Sequence, residues 1–280
     1  MYLSIDFEDY HHDLKRSLGI SRTCDIKSKE LLDKYKQIND LLTKYGKGAN
    51  KKATFFCTGI LADKEPDLIR QISNDGHEIA CHYYYHDVVK NDSNIRLYDM
   101  LSRARDSLQK VSNNEVRGFR APYFAINKKS PEQYKIVEKV FDYDSSLHCN
   151  SSKEVEDFKK KMLLTKLKII PLYSYPFFGF NLKLGGTFLK LFPLIYSRIM
   201  INNSLKEGFN PHIYMHPYEF DIATNFKVEF SDLMKLGLKK AIYWQIRQNQ
   251  WLRFRNASTK SKLALLIKKN PLEGRLISSL

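Results

Sequence analysis

Residues 74–86 decide the fold, and they read Asn-Asp-Gly-His-Glu-Ile-Ala-Cys-His-Tyr-Tyr-Tyr-His. Asn74 to Gly76 are typical of a turn, and the short run ending at Cys81 is typical of a buried strand. This strand delivers His82 at its carboxyl end, and His86 follows four residues later. The two imidazoles can point at one centre if the segment turns helically, because positions i and i+4 of a helix share a face.

A second polar group follows a predicted strand at the start of the chain. Residues 2–7 read Tyr-Leu-Ser-Ile-Asp-Phe and run straight into Glu8 and Asp9. Parallel α/β folds hold their catalytic groups at the carboxyl ends of strands. One carboxylate from this run, together with His82 and His86, would give the three protein ligands of a catalytic metal site that keeps one position open for water.

The remaining chain alternates predicted strands and helices, without an internal repeat. At 280 residues and 43% hydrophobic composition, this order predicts one α/β domain built on a mostly parallel sheet or barrel. Residues 153–161 are expected to be a surface excursion, and the aromatic, glycine-containing residues 173–194 a loop that walls a cleft. Strands are predicted over 53–57, 116–119, 141–146, 167–172 and 212–217, and helices over 28–45, 59–73, 93–111 and 193–203, with another starting at 130–131.

Positive charge is concentrated in the C-terminal region. The chain carries a formal net charge of +15, and beyond Phe226 twelve basic residues face only Glu229, Asp232 and Glu273. Such a region is expected to contact an anionic membrane or a lipid-linked substrate, with residues 262–268 as an amphipathic end segment; simple solvated lysines are the alternative. No nucleic-acid partner is expected, because the chain has no RNA-binding motif and no regular aromatic–basic interleaving.

Cysteine usage and hydropathy predict the location. The four cysteines form no CxxC pair, and Cys57 and Cys81 lie in apolar strand-like runs, so both are expected to be buried free thiols. No signal-peptide pattern opens the chain, and no run approaches eighteen apolar residues. The expected location is the cytoplasm, with peripheral contact at the inner membrane face as a further hypothesis.

Four motifs together resemble one known family. They are Asp6-Phe-Glu-Asp-Tyr10, His82-x-x-x-His86, Arg120-Ala-Pro-Tyr123 and His216-Pro-Tyr-Glu219. Their order and intervals are similar to those of the polysaccharide deacetylases, the NodB-homology proteins of carbohydrate esterase family four, in the subgroup with D-x-E-D-Y and H-P-Y-E motifs. The resemblance covers about residues 1–225 and implies a catalytic domain with a distorted (β/α)7-type barrel. Residues 226–280 would be a basic helical extension packed on or next to that barrel.

The resemblance also implies roles for individual residues. His82 and His86 would bind a divalent metal, expected to be zinc, and Arg120 would pair with a catalytic base. Pro122 would fix a turn in which the backbone N–H of Tyr123 faces the oxyanion. His216 would be the general acid that protonates the leaving amine, with His212 as a competitor on the same strand face. Asp144 would either hold His216 or cap a turn.

The acidic run leaves the base and the third ligand open. The common family pattern of two adjacent acids makes Glu8 the base and Asp9 the ligand. A D-x-D pattern instead makes Asp6 the base and Glu8 the ligand, and strand alternation favours it by placing Asp6 and Glu8 on one face. Asp9 is the preferred third ligand, and Asp6 and Glu8 are both catalytic candidates.

The resulting hypothesis is a metal-dependent hydrolase acting on an N-acetylated amino sugar. Its substrate would be a polysaccharide or a lipid-linked saccharide made during synthesis of cell-surface polysaccharide. Two alternatives remain: a cyclic amide or imide hydrolase of the same fold, and a catalytically inactive saccharide-binding protein.

Overall fold

The computed structural model describes residues 1–21, 25–46 and 51–280, and ten strands lie in these ranges. Cys24 lies outside the described residues. The strands are β1 (Tyr2–Phe7), β2 (Thr54–Cys57), β3 (Glu78–Cys81), β4 (Gly118–Phe119), β5 (Tyr143–Asp144), β6 (His148–Cys149), β7 (Lys168–Ile169), β8 (Leu172–Phe177), β9 (Phe180–Lys183) and β10 (His212–Met215).

Seven of these strands form one parallel sheet in the order β10-β1-β2-β3-β4-β5-β7. The edge strands β7 and β10 do not pair with each other in the described chain, so the barrel stays open. Strands β6, β8 and β9 form a second, smaller sheet. The parallel order requires a crossover after each strand, and helices cover the sheet as the alternating pattern predicts. The predicted α/β fold with a (β/α)7-type sheet is confirmed.

Twelve α-helices occur in the described residues, and most lie close to their predicted positions. Helix α2 has the predicted bounds, and the predicted helix over 59–73 divides at Glu65 because Pro66 starts a new helix. The helices are α1 (Tyr10–Ser17), α2 (Ser28–Tyr45), α3 (Gly59–Lys64), α4 (Pro66–Asn74), α5 (Asn94–Ser112), α6 (Glu132–Val140), α7 (Ser152–Lys161), α8 (Gly186–Leu191), α9 (Leu194–Lys206), α10 (Phe230–Leu233), α11 (Leu238–Leu252) and α12 (Thr259–Lys269).

Residues 153–161 lie mostly at the surface as predicted, and they belong to helix α7, which Ser151 caps by accepting a hydrogen bond from the backbone N–H of Glu154. One prediction of irregular structure is wrong. The stretch 173–194 is not a loop, because it contains most of the β8–β9 hairpin and helix α8. It does reach the cleft as expected, through Lys183 and Thr187.

The C-terminal region packs tightly on the sheet and its helices. Leu263, Leu266 and Ile267 of α12 are fully buried in the main hydrophobic core. The backbone N–H of Leu276 donates to Thr54 Oγ1 on β2 at 2.9 Å. Residues 262–268 thus form an amphipathic segment as predicted, within α12, but its apolar face packs in the core and is not available to a membrane. The division of the chain at residue 225 stays a prediction.

Two simpler expectations can also be compared with the structure. Cys57 and Cys81 are free and fully buried, as predicted. No helix in the described ranges is both long and apolar enough to cross a bilayer.

Candidate metal centre and active site

The candidate site lies at the carboxyl edge of the parallel sheet. Asp6 is in β1, Glu8 follows β1, His82 follows β3, Arg120 follows β4 and His216 follows β10. Their strands occupy consecutive places in the sheet, with β2 between β1 and β3. Except for Arg120, which is fully buried below, these side chains line one cavity of about 370 Å³. The expectation that the strand ends bring the polar residues together is met.

Glu8, His82 and His86 form the compact centre of this cavity. Glu8 Oε2 lies 2.5 Å from Nε2 of His86 and 3.4 Å from Nε2 of His82. All three side chains are buried, and their potential ligand atoms lie within 4.8 Å of one another. No other described residue supplies a hydrogen-bond donor to Glu8 Oε2. One carboxylate oxygen and two imidazole nitrogens thus converge without a competing partner.

This cluster fits a divalent metal ion. Nδ1 of His82 lies 2.8 Å from the carbonyl oxygen of Arg120, so this nitrogen carries the proton and Nε2 keeps its lone pair toward the cluster. Burial alone would raise the pKa of Glu8, but the positive charge of His86 beside it holds the pKa well below its usual range. An ionised carboxylate with two imidazoles is the donor set of several catalytic zinc sites.

The backbone between the two histidines is not helical. Residues 82–86 have no regular structure apart from a bend at residues 84 and 85, and Tyr83 and His86 adopt left-handed conformations with φ of 65° and 61°. The helical premise for the His82–His86 spacing is therefore wrong, although the two imidazoles do converge. Left-handed non-glycine residues are uncommon and cluster at functional sites, where surrounding packing holds them. The buried rings of Tyr83 and Tyr84 provide that packing here.

Asp9 has a different role from the one preferred above. Its carboxylate caps helix α1 by accepting hydrogen bonds from the backbone N–H groups of His11 at 2.8 Å and His12 at 3.2 Å. A third bond comes from the backbone N–H of Lys27 at 2.5 Å. The preference for Asp9 as third ligand is therefore corrected: its oxygens are used by backbone donors, and Glu8 lies beside the histidines.

Asp6 is held by the fully buried Arg120. Nη1 of Arg120 donates to Oδ1 of Asp6 at 2.6 Å and to Ser4 Oγ at 2.8 Å. The other side of the guanidinium donates to the backbone oxygen of Ser145 at 3.1 Å and to its hydroxyl at 2.9 Å. Since Glu8 is with the histidines, Asp6 is the carboxylate left free to act as a base.

His216 lies beside Asp6 and Glu219. Its Nε2 is 3.9 Å from Oδ2 of Asp6, and its Nδ1 is 3.4 Å from Oε2 of the fully buried Glu219. Burial alone would lower the pKa of His216, but the hydrogen bond and charge of Glu219, with the charges of Glu8 and Asp6, raise it overall. A histidine with a raised pKa is suited to donate a proton near neutral pH.

Of the two alternatives for Asp144, the structure agrees with the turn and not with support of His216. Asp144 accepts hydrogen bonds from the backbone N–H of Ser146 at 3.0 Å and from its hydroxyl at 2.6 Å. Ser146 Oγ in turn accepts from the backbone N–H of Ala121 at 2.8 Å. Asp144 therefore supports the turn after Arg120, whereas Glu219 is the carboxylate beside His216. The i, i+3 spacing in His216-Pro-Tyr-Glu219 was the available signal for this pair.

Tyr123 and His212 take different places around the site. Tyr123 lines the cavity, its ring centroid lies 4.6 Å from that of His86, and both Tyr123 and Phe124 have φ of 56°. The oxyanion role of the Tyr123 backbone stays a prediction.

His212 is buried below the cavity, with Nε2 2.8 Å from Ser4 Oγ and 3.3 Å from Nη2 of Arg120. That position favours His216 over His212 as the general acid.

The sequence did not single out the aromatic wall of the cavity or Asp13. Tyr10, Tyr218, Trp244 and Trp251 all line the cavity, and the two tryptophans come from helix α11 in the C-terminal region. Their helical spacing of seven residues was the available signal, since such a spacing places two side chains on one face. Asp13 of α1 also lines the cavity, with Oδ2 3.8 Å from Nδ1 of His86.

Two family models match this chain. The model described as "Polysaccharide deacetylase" matches residues 23–138, and one described as "Domain of unknown function (DUF3473)" matches residues 148–273. The first range contains His82, His86, Arg120 and Tyr123, and the second contains His216, Glu219 and helix α11.

Relatives and solved structures agree with the first match. A peptidoglycan-N-acetylglucosamine deacetylase of Bacillus cereus is 29% identical over 97 residues, covering 35% of this chain and 31% of that protein. A deacetylase of the same description from Listeria monocytogenes is 26% identical over 84 residues, covering 30% of this chain and 18% of that protein. The chain thus matches less than a third of the length of these curated relatives.

The fold is also found in a solved structure. A Mycobacterium smegmatis protein described as a polysaccharide deacetylase superposes with a TM-score of 0.50 at 17% identity, covering 98% of this chain and 92% of that one.

Proposed function

Because the chain belongs to the polysaccharide deacetylase family, we propose that it is a hydrolase that removes an N-acetyl or similar N-acyl group from an amino sugar. The single observation that carries this proposal is the convergence of Glu8, His82 and His86 beside Asp6 and His216 in one cavity. The arrangement contains a metal-ligand set, a base and an acid, and these are the groups that amide hydrolysis requires.

We assign the metal-ligand set to Glu8, His82 and His86. When bound, a divalent ion, for which zinc is our choice, would polarise the acyl carbonyl and lower the pKa of a water molecule. The Glu8 carboxylate supplies negative charge, and His82 is oriented by the Arg120 carbonyl. The same residue therefore orients both a ligand and the base, since the Arg120 guanidinium binds Asp6.

Asp6 and His216 carry the two proton transfers. Asp6 accepts the proton of the attacking water. Arg120 donates hydrogen bonds to Asp6 and to Ser4, and these bonds hold the Asp6 carboxylate in position. His216, with its raised pKa, donates a proton to the departing sugar nitrogen. This second transfer is essential, because an amide anion is a very poor leaving group and must leave as a neutral amine. Protonated His216 also lies on the Asp6 side of the cavity, so both transfers occur at one face.

The same residues favour this function over the two alternatives. A metal-free cyclic amide hydrolase would not need a buried carboxylate oxygen between two imidazole nitrogens. An inactive saccharide-binding protein would not need a fully buried Arg120 bound to Asp6, or Glu219 beside His216. The residues thus support a complete catalytic set.

We propose that the substrate is a lipid-linked saccharide, held at the cytoplasmic face of an anionic membrane. Helix α11 supports it: Leu238, Ile242 and Ile246 follow one stripe and are 57%, 47% and 54% exposed. Residues 234–255 contain no acidic side chain, and their six cations are Lys235, Lys239, Lys240, Arg247, Arg253 and Arg255. An exposed apolar stripe surrounded by cations is complementary to an anionic lipid surface.

Acetate release is the direct test of the proposed activity. Purified protein is incubated with N-acetylated amino sugars, free, oligomeric and lipid-linked, with and without a chelator. We expect acetate release that chelation abolishes and that added zinc restores. A protein that is equally active in chelator would contradict the metal-dependent mechanism.

A further inference from the structure

A continuous series of aromatic rings connects His216 to helix α11. The ring of Tyr218 stacks on His216 with centroids 4.8 Å apart and planes at 16°. Tyr10 lies 5.4 Å from Tyr218, and Trp251 lies 6.1 Å from Tyr10. Trp244 completes the series at 6.3 Å from Trp251. We call Tyr218, Tyr10, Trp251 and Trp244 the aromatic platform, and all four line the cavity that holds the candidate metal centre.

Secondary structure and neighbouring side chains hold the rings of the platform in position. Tyr218 lies in the short helical turn after His216, and Tyr10 is the first residue of α1. The guanidinium carbon of Arg247 lies 4.4 Å from the ring centroid of Trp251, on the same helix. Trp244 and Trp251 are only partly buried, so ring surface remains open to the cavity.

We propose that the aromatic platform is a binding subsite for the sugar rings on the leaving-group side of the scissile amide. A pyranose ring has faces of C–H groups that bury well against an aromatic plane, while its hydroxyl groups stay at the edges, in water. Aromatic rings give a large contact area at low conformational cost. This assignment rests on the proposed function, because it takes His216 as the donor to the sugar nitrogen.

The position of the platform sets the direction of the bound saccharide. The first ring of the series stacks on His216, so a sugar whose nitrogen faces His216 has its neighbouring rings directed over Tyr10 and toward α11. The acyl group then points to the opposite side, where Glu8, His82 and His86 lie. The C-terminal region, through Trp244 and Trp251, thereby selects oligosaccharides over single sugars.

Tryptophan fluorescence tests this subsite directly, because Trp244 and Trp251 are the only two tryptophans of the chain. The probe is tetra-N-acetylchitotetraose, titrated into the full-length D6N variant, in which the proposed base is removed and the platform is intact. We expect a saturable change in tryptophan emission. We expect Trp251→Ala and Trp244→Ala each to raise the Kd, measured by calorimetry, about 10-fold, with Trp251→Phe closer to the parent.

A matched control is Phe254→Ala, since Phe254 is 57% exposed just beyond α11 and does not line this cavity. Its Kd should equal that of the parent, and unchanged thermal unfolding of all variants excludes loss of the fold. Tryptophan variants that bind the tetrasaccharide as tightly as Phe254→Ala would overturn the subsite, and so would the absence of any emission change on binding.

Activity separates this failure from failure of the proposed function. In the wild-type background, the tryptophan variants should raise KM for the tetrasaccharide at least about 10-fold, whereas Phe254→Ala should leave KM and kcat unchanged. Acetate release with equal KM in all variants overturns the subsite and leaves the deacetylase in place. If the wild-type protein itself releases no acetate, the proposed function is overturned.

Discussion

Arg120 Nη1 lies 2.6 Å from Oδ1 of Asp6, and both side chains are almost fully buried. This ion pair joins the end of β4 to β1 across two intervening strands. Because the carbonyl oxygen of the same Arg120 accepts from His82, one residue fixes the position of the base and the orientation of a ligand. The base and the candidate metal centre are therefore coupled through Arg120.

Arg120→Lys should inactivate the protein while leaving it folded. Lysine keeps the charge but cannot bind Asp6, Ser4 and both oxygen atoms of Ser145 at once. We expect kcat for acetate release to fall about 10²-fold or more, since small displacements of a catalytic group have effects of this size. Arg117→Lys is the matched control, because Arg117 forms an exposed pair with Asp142, and it should retain full activity. Full activity in Arg120→Lys would contradict the account of Asp6.

Glu219→Gln should move the alkaline limit of activity to lower pH. Glu219 helps raise the pKa of His216 against the opposing effect of burial, and a general acid works only below its pKa. Removing the charge lowers that pKa, so activity should decline at a lower pH than in the wild-type protein. The check is the pH profile of kcat for acetate release. Glu115→Gln, at an exposed position, should leave the profile unchanged. If the alkaline limit of the kcat profile is the same in Glu219→Gln as in the wild-type protein, His216 is not the general acid whose pKa sets that limit.

Substitutions in the acidic run should separate metal binding from helix capping. Glu8→Gln should lose stoichiometric zinc, measured by elemental analysis, because Glu8 supplies the carboxylate oxygen beside both histidines. Asp9→Ala should keep the metal and lose about 1 kcal/mol or more of stability, because three backbone N–H groups lose their acceptor. The reverse result, with metal lost in Asp9→Ala and kept in Glu8→Gln, would restore Asp9 as the ligand.

His77 should make the protein less stable as the pH falls. Burial, with a smaller contribution from Lys52, lowers its pKa to about 4, and its Nδ1 accepts from the backbone N–H of Ala53 at 3.2 Å. Between pH 6.5 and pH 4 the unfolded chain binds a proton that the folded chain excludes, so stability is lost as the pH falls through this window. The contribution reaches about 3 kcal/mol near pH 4. Between pH 6.5 and pH 4, the unfolding free energy measured with denaturant should fall by about 3 kcal/mol more in wild type than in His77→Asn; equal losses in the two proteins would contradict the assignment.

The outward stripe of α11 should bind anionic vesicles. Ile242→Ser combined with Ile246→Ser should weaken co-sedimentation with phosphatidylserine-containing vesicles, because both side chains are about half exposed among cations. Ile95→Ser is the control, since Ile95 is 77% exposed on α5. High salt should weaken binding of the wild-type protein. No binding even at low salt would contradict the proposed membrane contact.

Local sequence patterns predicted the strands and helices whose formation depends on their own residues. Strand β1 and helix α2 have the predicted bounds, since a short run of strand-forming residues and a helical spacing of apolar residues are properties of the segments themselves. The short charged segment of α7 was missed because its helix depends on a cap and carries few apolar residues. Residues 262–268 have the predicted amphipathic pattern, but that pattern could not show that their apolar face is buried in the core, because tertiary packing decides this.

The candidate site shows the same limit. The motifs gave His82, His86, Arg120 and His216, but spacing could not decide between Glu8 and Asp9. That choice depends on which carboxylate the backbone N–H groups of α1 and Lys27 engage. Trp251 was missed because its neighbour Tyr10 lies far away in the sequence, and only the fold brings the two rings together.

The most direct test of the account is acetate release from a tetra-N-acetylated oligosaccharide by metal-free protein to which zinc is returned in increasing amounts. We predict that activity rises linearly to one zinc per chain in the wild-type protein, and that Glu8→Gln shows no restoration. Activity in the metal-free protein, or full restoration in Glu8→Gln, would contradict the proposed centre of Glu8, His82 and His86.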